Sequence, residues 1–217
     1  MTIEAAIRKI QEIGVVPVVR AASLDEARRA VEAICAGGIP VIEITMTVPD
    51  APAMIREVVR QYGNKVLTGA GTVVTEKQAE ACIEAGAEFL VSPGLSLSVL
   101  RTAATRNVLA IPGALTPTEV IQALDAGAKL IKIFPCGSVG GPKYLKALKA
   151  PFPQASFIPT GGVNLSNAAE YIAAGAFALG VGADLVDLTA LRNSDSKKIV
   201  DMARALVDAV QLARTNR

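Results

Sequence analysis

The chain has 217 residues, 51% hydrophobic and 19% charged, with a net charge of +2. That much apolar sequence excludes a disordered chain, and so small a net charge leaves no electrostatic footprint for nucleic acid or an acidic membrane. Aromatics amount to 4% and Trp is absent, so a stacking platform for bases is excluded too.

The opening "MTIEAAIRKIQEIG" reads as a charged amphipathic helix over residues 2–12, not as a signal peptide, and no later apolar run is long enough to span a bilayer. Short β-branched or apolar runs then alternate with helical patterns. The first strand, residues 15–20, puts Val16, Val18 and Arg20 on one face. "SLDEARRAVEAICAGG" follows as a helix, with Ser23 as N-cap and Glu26 three residues on. The second strand, 41–46, puts Val41, Glu43 and Thr45 together. Strands at 66–71, 89–93 and 109–113 come next, and Thr116 with Glu119 caps the helix "TPTEVIQALDAGA". The sixth strand, 130–135, aligns Leu130, Lys132 and Phe134; strands at 156–160 and 177–181 and a closing helix at 196–213 complete the series.

The helices end in recurring Ala-Gly pairs, at Gly37, Gly86, Gly127 and Gly175, where glycine is expected to supply a left-handed stop before the next strand. Eight strand–helix units with no linker predict one α/β domain over 1–217, a closed (β/α)8 barrel with an extra N-terminal helix. An open doubly wound sheet is the competing fold. It calls for a glycine-rich nucleotide turn after the first strand, and "VVPVVRAASLDE" has none.

In such a barrel, alternate strand residues fill the interior and the C-terminal strand ends carry the chemistry. Arg20, Glu43 and Lys132 then converge near one mouth, joined by Thr72 and Thr160 from the ends of the third and seventh strands. A lysine in a strand ordinarily snorkels to water or sits at an edge. Lys132 has no such escape, because a barrel has no edge and its strands are covered on both faces. Glu43 fits two roles, partner of a buried cation or proton carrier. Arg20 fits a solvent-facing strand end as well as an anion site, and the threonines alone are ordinary strand formers. Gly161 and Gly162 in "IPTGGVN", and Gly180 and Gly182 in "ALGVGADL", follow or end the last two strands, the usual place for a phosphate cradle in this fold. Tight turns explain them equally well one at a time.

The chain contains no His, so acid–base work falls to Glu, Asp, Lys, Tyr or Cys, and a His-containing triad is excluded. Cys35, Cys82 and Cys136 are widely spaced and read as reduced thiols of a cytoplasmic protein, with Cys136 a spectator. No zinc-ligand spacing occurs, and no metal or other cofactor is expected. Apolar surroundings disfavour the ammonium form of a lysine. The free amine attacks a ketone, and the resulting iminium accepts the electrons of a neighbouring carbon–carbon bond. With Glu43 to move a proton and Arg20 to hold a carboxylate, the residues point to a metal-free Schiff-base lyase for a phosphorylated keto acid.

"VVPVVRA", "GGIPVIEITMTVPDA", "LTGAGTV", "FLVSPG", "IPGALTPTE", "LIKIFP", "GPKYLKALKAPFP" and "IPTGGVN" occur in this order. Over about residues 14–186 the chain thereby resembles the family of 2-keto-3-deoxy-6-phosphogluconate (KDPG) and 4-hydroxy-2-oxoglutarate aldolases. The resemblance implies a class I aldolase that yields pyruvate and glyceraldehyde 3-phosphate, acts in the Entner–Doudoroff pathway and assembles as a homotrimer. It implies Lys132 as Schiff-base lysine and Glu43 as acid–base. It places Arg20, Thr72, Pro93 and Phe134 at the pyruvate part, Thr160 at the substrate chain, and the glycines at the phosphate. The galactonate epimer, 4-hydroxy-2-oxoglutarate and an unphosphorylated 2-keto-3-deoxy acid are the alternative substrates. A phosphate-binding barrel isomerase or synthase without a covalent lysine is the more distant reading. The sequence departs from the family pattern at Thr47, where some members carry arginine, and at Ala183, where many carry serine.

Overall fold

An apolar stripe at Ile3, Ala6, Ile7 and Ile10 makes the first helix, α1 (Ile3–Ile13), one-sided; Thr2 caps its start and left-handed Gly14 ends it. The computed structural model describes residues 1–216. After α1 the strands β1 (Val15–Val19), β2 (Val41–Thr45), β3 (Leu67–Gly71), β4 (Phe89–Val91) and β5 (Leu109–Ile111) alternate with α2 (Leu24–Ala36), α3 (Ala51–Tyr62), α4 (Glu76–Glu84) and α5 (Leu97–Thr105). Then come β6 (Gly113–Ala114), α6 (Pro117–Asp125), β7 (Ile131–Ile133), α7 (Gly141–Lys149), β8 (Phe157–Pro159), α8 (Ala168–Ala173) and β9 (Leu179–Val181). Helices α9 (Leu188–Arg192) and α10 (Ser196–Thr215) follow.

All pairings are parallel. One sheet runs β5-β4-β3-β2-β1-β9 and the other β6-β7-β8. A bridge between Thr160 and Gly180 joins β8 to β9, and the chain itself joins β5 to β6, so the sheet curls into a (β/α)8 barrel. The predicted fifth strand is the one that differs: it is two strands broken at Pro112. Before the proline it pairs with β4; after it, with β7, through Lys132 N–H donating to Pro112 O at 2.9 Å. Pro112 has no N–H to offer a continuous ladder, so the strand changes partner there.

The extra helix α1 packs beneath the N-terminal ends of β2 and β5, with Ile10 fully buried, and Lys9 reaches the carbonyls of Asn64 and Lys65. The short α9 was not legible as a helix. One glycine stop also moves: Gly37 is right-handed (φ −78°) and Gly38 takes the left-handed position (φ 91°). A Cβ on Gly37 would lie 2.4 Å from Ala203 Cβ, so Gly37 serves the close approach of α10 instead.

Both predicted caps form, unequally. Ser23 accepts from Glu26 N–H, but the Glu26 carboxylate turns to Ala22 N–H and Arg192. At Thr116 the reciprocal box closes, and Glu119 also takes Leu115 N–H at 2.8 Å. The Leu115 bond first, then those from Thr116, hold the Glu119 carboxyl below its usual range. Its contribution to stability is therefore present above the unfolded carboxylate range and lost as pH falls through the lowered folded value. Glu119→Ala is expected to cost about 1 kcal/mol at pH 7 and much less at pH 3, read from denaturant midpoints at both.

Candidate active site

Lys132 sits mid-strand on β7, in register with Gly113 on one side and Ile158 on the other. Its inward parity carries the side chain into the barrel, where the residue is 4% exposed. Glu43 enters from β2 and is 2% exposed. Lys132 Nζ lies 3.8 Å from Glu43 Oε1, too far for a hydrogen bond, and Oε1 has no hydrogen-bond partner. Both reach a pocket walled by Val16, Val91, Ile111 and Ile158 with Thr160 and Gly180; its free space of about 10 Å³ suits a single water. The Phe134 ring centre is 5.3 Å from Nζ.

Two ions taken out of water are compensated only by close contact and full hydrogen bonding, and this pair has neither. As a stability element it is poor. As chemistry it is an amine and a carboxylate held apart by the width of one small group, in an apolar chamber. Gly71 on β3 makes this possible: a Cβ there would stand 1.9 Å from Glu43 Oε1. The cue was in the sequence, since a glycine inside a strand often marks a close approach.

Most of the other predicted residues divide between two places. Arg20, exposed at the end of β1, lines an outer recess of about 170 Å³ with Phe134, Thr160, Gly161, Gly162 and Gly182. Thr160 belongs to both spaces and connects them. Gly180 sides with the inner pocket, where a Cβ would strike Thr160 Oγ1 at 2.1 Å, and not with the outer recess. Thr72 and Pro93, half-buried beyond β3 and β4, line neither. Thr72 has φ 59°, a left-handed backbone that a β-branched residue adopts at a cost of about 1–3 kcal/mol. Such strain collects at functional sites.

Gly161 (φ 86°) and Gly162 (φ 77°) are both left-handed, and Gly161 packs on the Phe134 ring. The N–H groups of Gly161, Gly162, Gly182 and Ala183 have no protein acceptor among the described residues. Four open donors around one recess fit an anion. Cys136 is buried, donates weakly to Gly141 O at 3.7 Å, and its thiol is pushed by burial up to about 11. A thiol so placed is inert. Val16 shares the inward face read for Arg20, whereas Val91, Ile111 and Ile158 escaped sequence reasoning because nothing separates a pocket wall from any other core residue.

A larger cavity, about 850 Å³, lies at the opposite end of the barrel and holds none of these groups. Its Lys149 and Arg214 are hydrogen-bonded to backbone carbonyls of Pro153, Glu12 and Phe177.

A model of the aldolase family described as KDPG and KHG aldolase matches residues 6–202. The chain belongs to the KDPG and KHG aldolase family. It is accordingly an aldolase, a carbon–carbon lyase. It is 36% identical to the KHG/KDPG aldolase of Escherichia coli K12, over 91% of this chain and 92% of that one. It is 34% identical to the 2-dehydro-3-deoxy-6-phosphogalactonate aldolase of the same strain, over 92% and 98%. A KDPG aldolase from Legionella pneumophila, solved with pyruvate captured as a covalent carbinolamine, superposes with a TM-score of 0.86 at 32% identity, over 93% of this chain and 97% of that one. Among the described residues no helix is long and apolar enough to cross a membrane.

Proposed function

We propose that this aldolase is a class I enzyme cleaving 2-keto-3-deoxy-6-phosphogluconate to pyruvate and glyceraldehyde 3-phosphate, with Lys132 as nucleophile and Glu43 as proton carrier. The observation that carries the reading is the enclosed Lys132–Glu43 pair, unbonded at 3.8 Å. Lys132 Nζ attacks the C2 ketone; the carbinolamine loses water and becomes an iminium. Glu43 takes the C4 hydroxyl proton, the C3–C4 bond breaks, and its electrons pass into the iminium to give an enamine. Glyceraldehyde 3-phosphate leaves. Glu43 returns its proton to C3, and water releases pyruvate and the free amine.

The inner pocket is too small for pyruvate, so C2 meets Nζ at the pocket's open end and the substrate runs outward past Thr160. Arg20 and Thr72 serve the C1 carboxylate, with Pro93 and Phe134 flanking the pyruvate part. The open N–H groups at Gly161, Gly162 and Gly182 serve the phosphate. A homotrimer is the assembly that the family resemblance implies, and three unpaired cysteines favour a cytoplasmic location.

Pyruvate release from four acids tests the substrate: the phosphogluconate derivative, its galactonate epimer, 4-hydroxy-2-oxoglutarate and the unphosphorylated sugar acid. The highest kcat/KM is expected for the first, and a clear preference for any other displaces it. Thr160→Val is expected to change the epimer ratio by a few-fold to about tenfold, the weight of one hydrogen bond. An unchanged ratio assigns stereochemistry to other groups. Ala183→Ser adds a hydroxyl beside the phosphate and is expected to widen the preference for the phosphorylated acid by about 1.5–3 kcal/mol at most. Equal use of both acids by the native chain would leave these glycines as plain turns.

A further inference from the structure

Arg20 makes no ion pair and no side-chain hydrogen bond among the described residues, so its place is set by the backbone that carries it. That backbone is paired to β2 as far as Val19 and braced there by two hydroxyls. Thr45, fully buried at the end of β2, donates to Val19 O at 3.0 Å. Thr47 Oγ1 lies 2.6 Å from Thr45 Oγ1. A hydroxyl has one proton, and that of Thr45 is committed to the carbonyl, so Thr47 is the donor of the second bond. The relay runs from exposed Thr47, through buried Thr45, to the residue immediately before Arg20.

The β1–β2 ladder ends with Val19 opposite Ile44, leaving Thr45 beside Arg20 where the regular pairing runs out. There the Thr45 hydroxyl gives Val19 O a side-chain donor in addition to the backbone pairing. On the other flank of β2, Met46 N–H donates to Gly71 O at 2.8 Å, the residue before Thr72. The end of β2 thus ties down both residues assigned to the substrate carboxylate. A valine at 45 would suit a buried strand end at least as well as a hydroxyl, which costs free energy to bury unless it is bonded.

We infer that Thr45 and Thr47 are positioning residues that hold Arg20 for the carboxylate of the keto acid. The inference rests on the reading of Arg20 and Lys132 given under Proposed function. Its substrate-specific content is that the relay acts on charge recognition and leaves the amine chemistry alone.

The test is borohydride trapping of two ketones across a concentration range: pyruvate, and methyl pyruvate, whose ester removes the charge. The native chain is expected to prefer pyruvate, and Arg20→Leu to lose that preference. Thr45→Val is expected to reduce the preference by roughly tenfold, with trapping at saturating ketone unchanged. Thr45→Ser keeps the hydroxyl and restores it. Thr47→Val, altered only at an exposed position, reduces it a few-fold and carries the test should Thr45→Val fail to fold. In the Arg20→Leu background neither threonine change has a further effect. An equal loss for both ketones, or a loss that persists undiminished without Arg20, overturns the inference while leaving the Schiff-base reading intact. A native chain that traps neither ketone overturns that reading, and the inference with it.

Discussion

Lys132→Met is expected to lower kcat by at least about a thousandfold, because the covalent route disappears and only binding and polarisation remain. Methionine is unbranched and apolar and fits between Val16 and Ile158 without opening the pocket. Among the described residues no other lysine lines the pocket, and Lys129 and Lys143 are exposed. The same change leaves buried Glu43 without its polar neighbour across the pocket, so the variant is expected to melt below the native chain. Adding Glu43→Gln to it is expected to recover part of that loss without recovering activity. Steady-state turnover and a melting curve on the single and double variants separate the two effects. Turnover within tenfold of native in Lys132→Met would remove the lysine from the chemistry.

Glu43→Gln is expected to slow turnover by about a hundredfold or more while still forming the pyruvate adduct. The amide keeps the shape that Gly71 accommodates and cannot carry a proton between the C4 hydroxyl and C3. The loss falls on kcat more than on KM, because the carboxylate acts on the reacting atoms and not on the substrate's charged ends. Exchange of pyruvate methyl protons with deuterated water gives an independent reading of the same role and is expected to slow in parallel. Native exchange rates in Glu43→Gln would put the proton carrier elsewhere.

The barrel was legible because periodicity and helix stops agree along the whole chain. A lysine between two apolar residues on an inward face reads as buried from strand parity alone, and the fold keeps it 4% exposed. What escaped was set by contacts between distant segments. The switch of partner at Pro112 depends on β4 and β7 both lying beside one strand. The close approach of α10 to Gly37 joins segments far apart in the chain. The place of Gly180 in the inner pocket depends on where Thr160 turns. The relay from Thr47 to Val19 joins residues on adjacent strands, and no spacing along the chain encodes it.

Whether Lys132 forms the Schiff base is decided by incubating the native chain with pyruvate, reducing with borohydride, digesting and locating the modified peptide by mass. One reduced pyruvate adduct per chain is expected, on Lys132, and none without pyruvate. An adduct on Lys129 or Lys143, or no adduct in a chain that still releases pyruvate from its substrate, would contradict it.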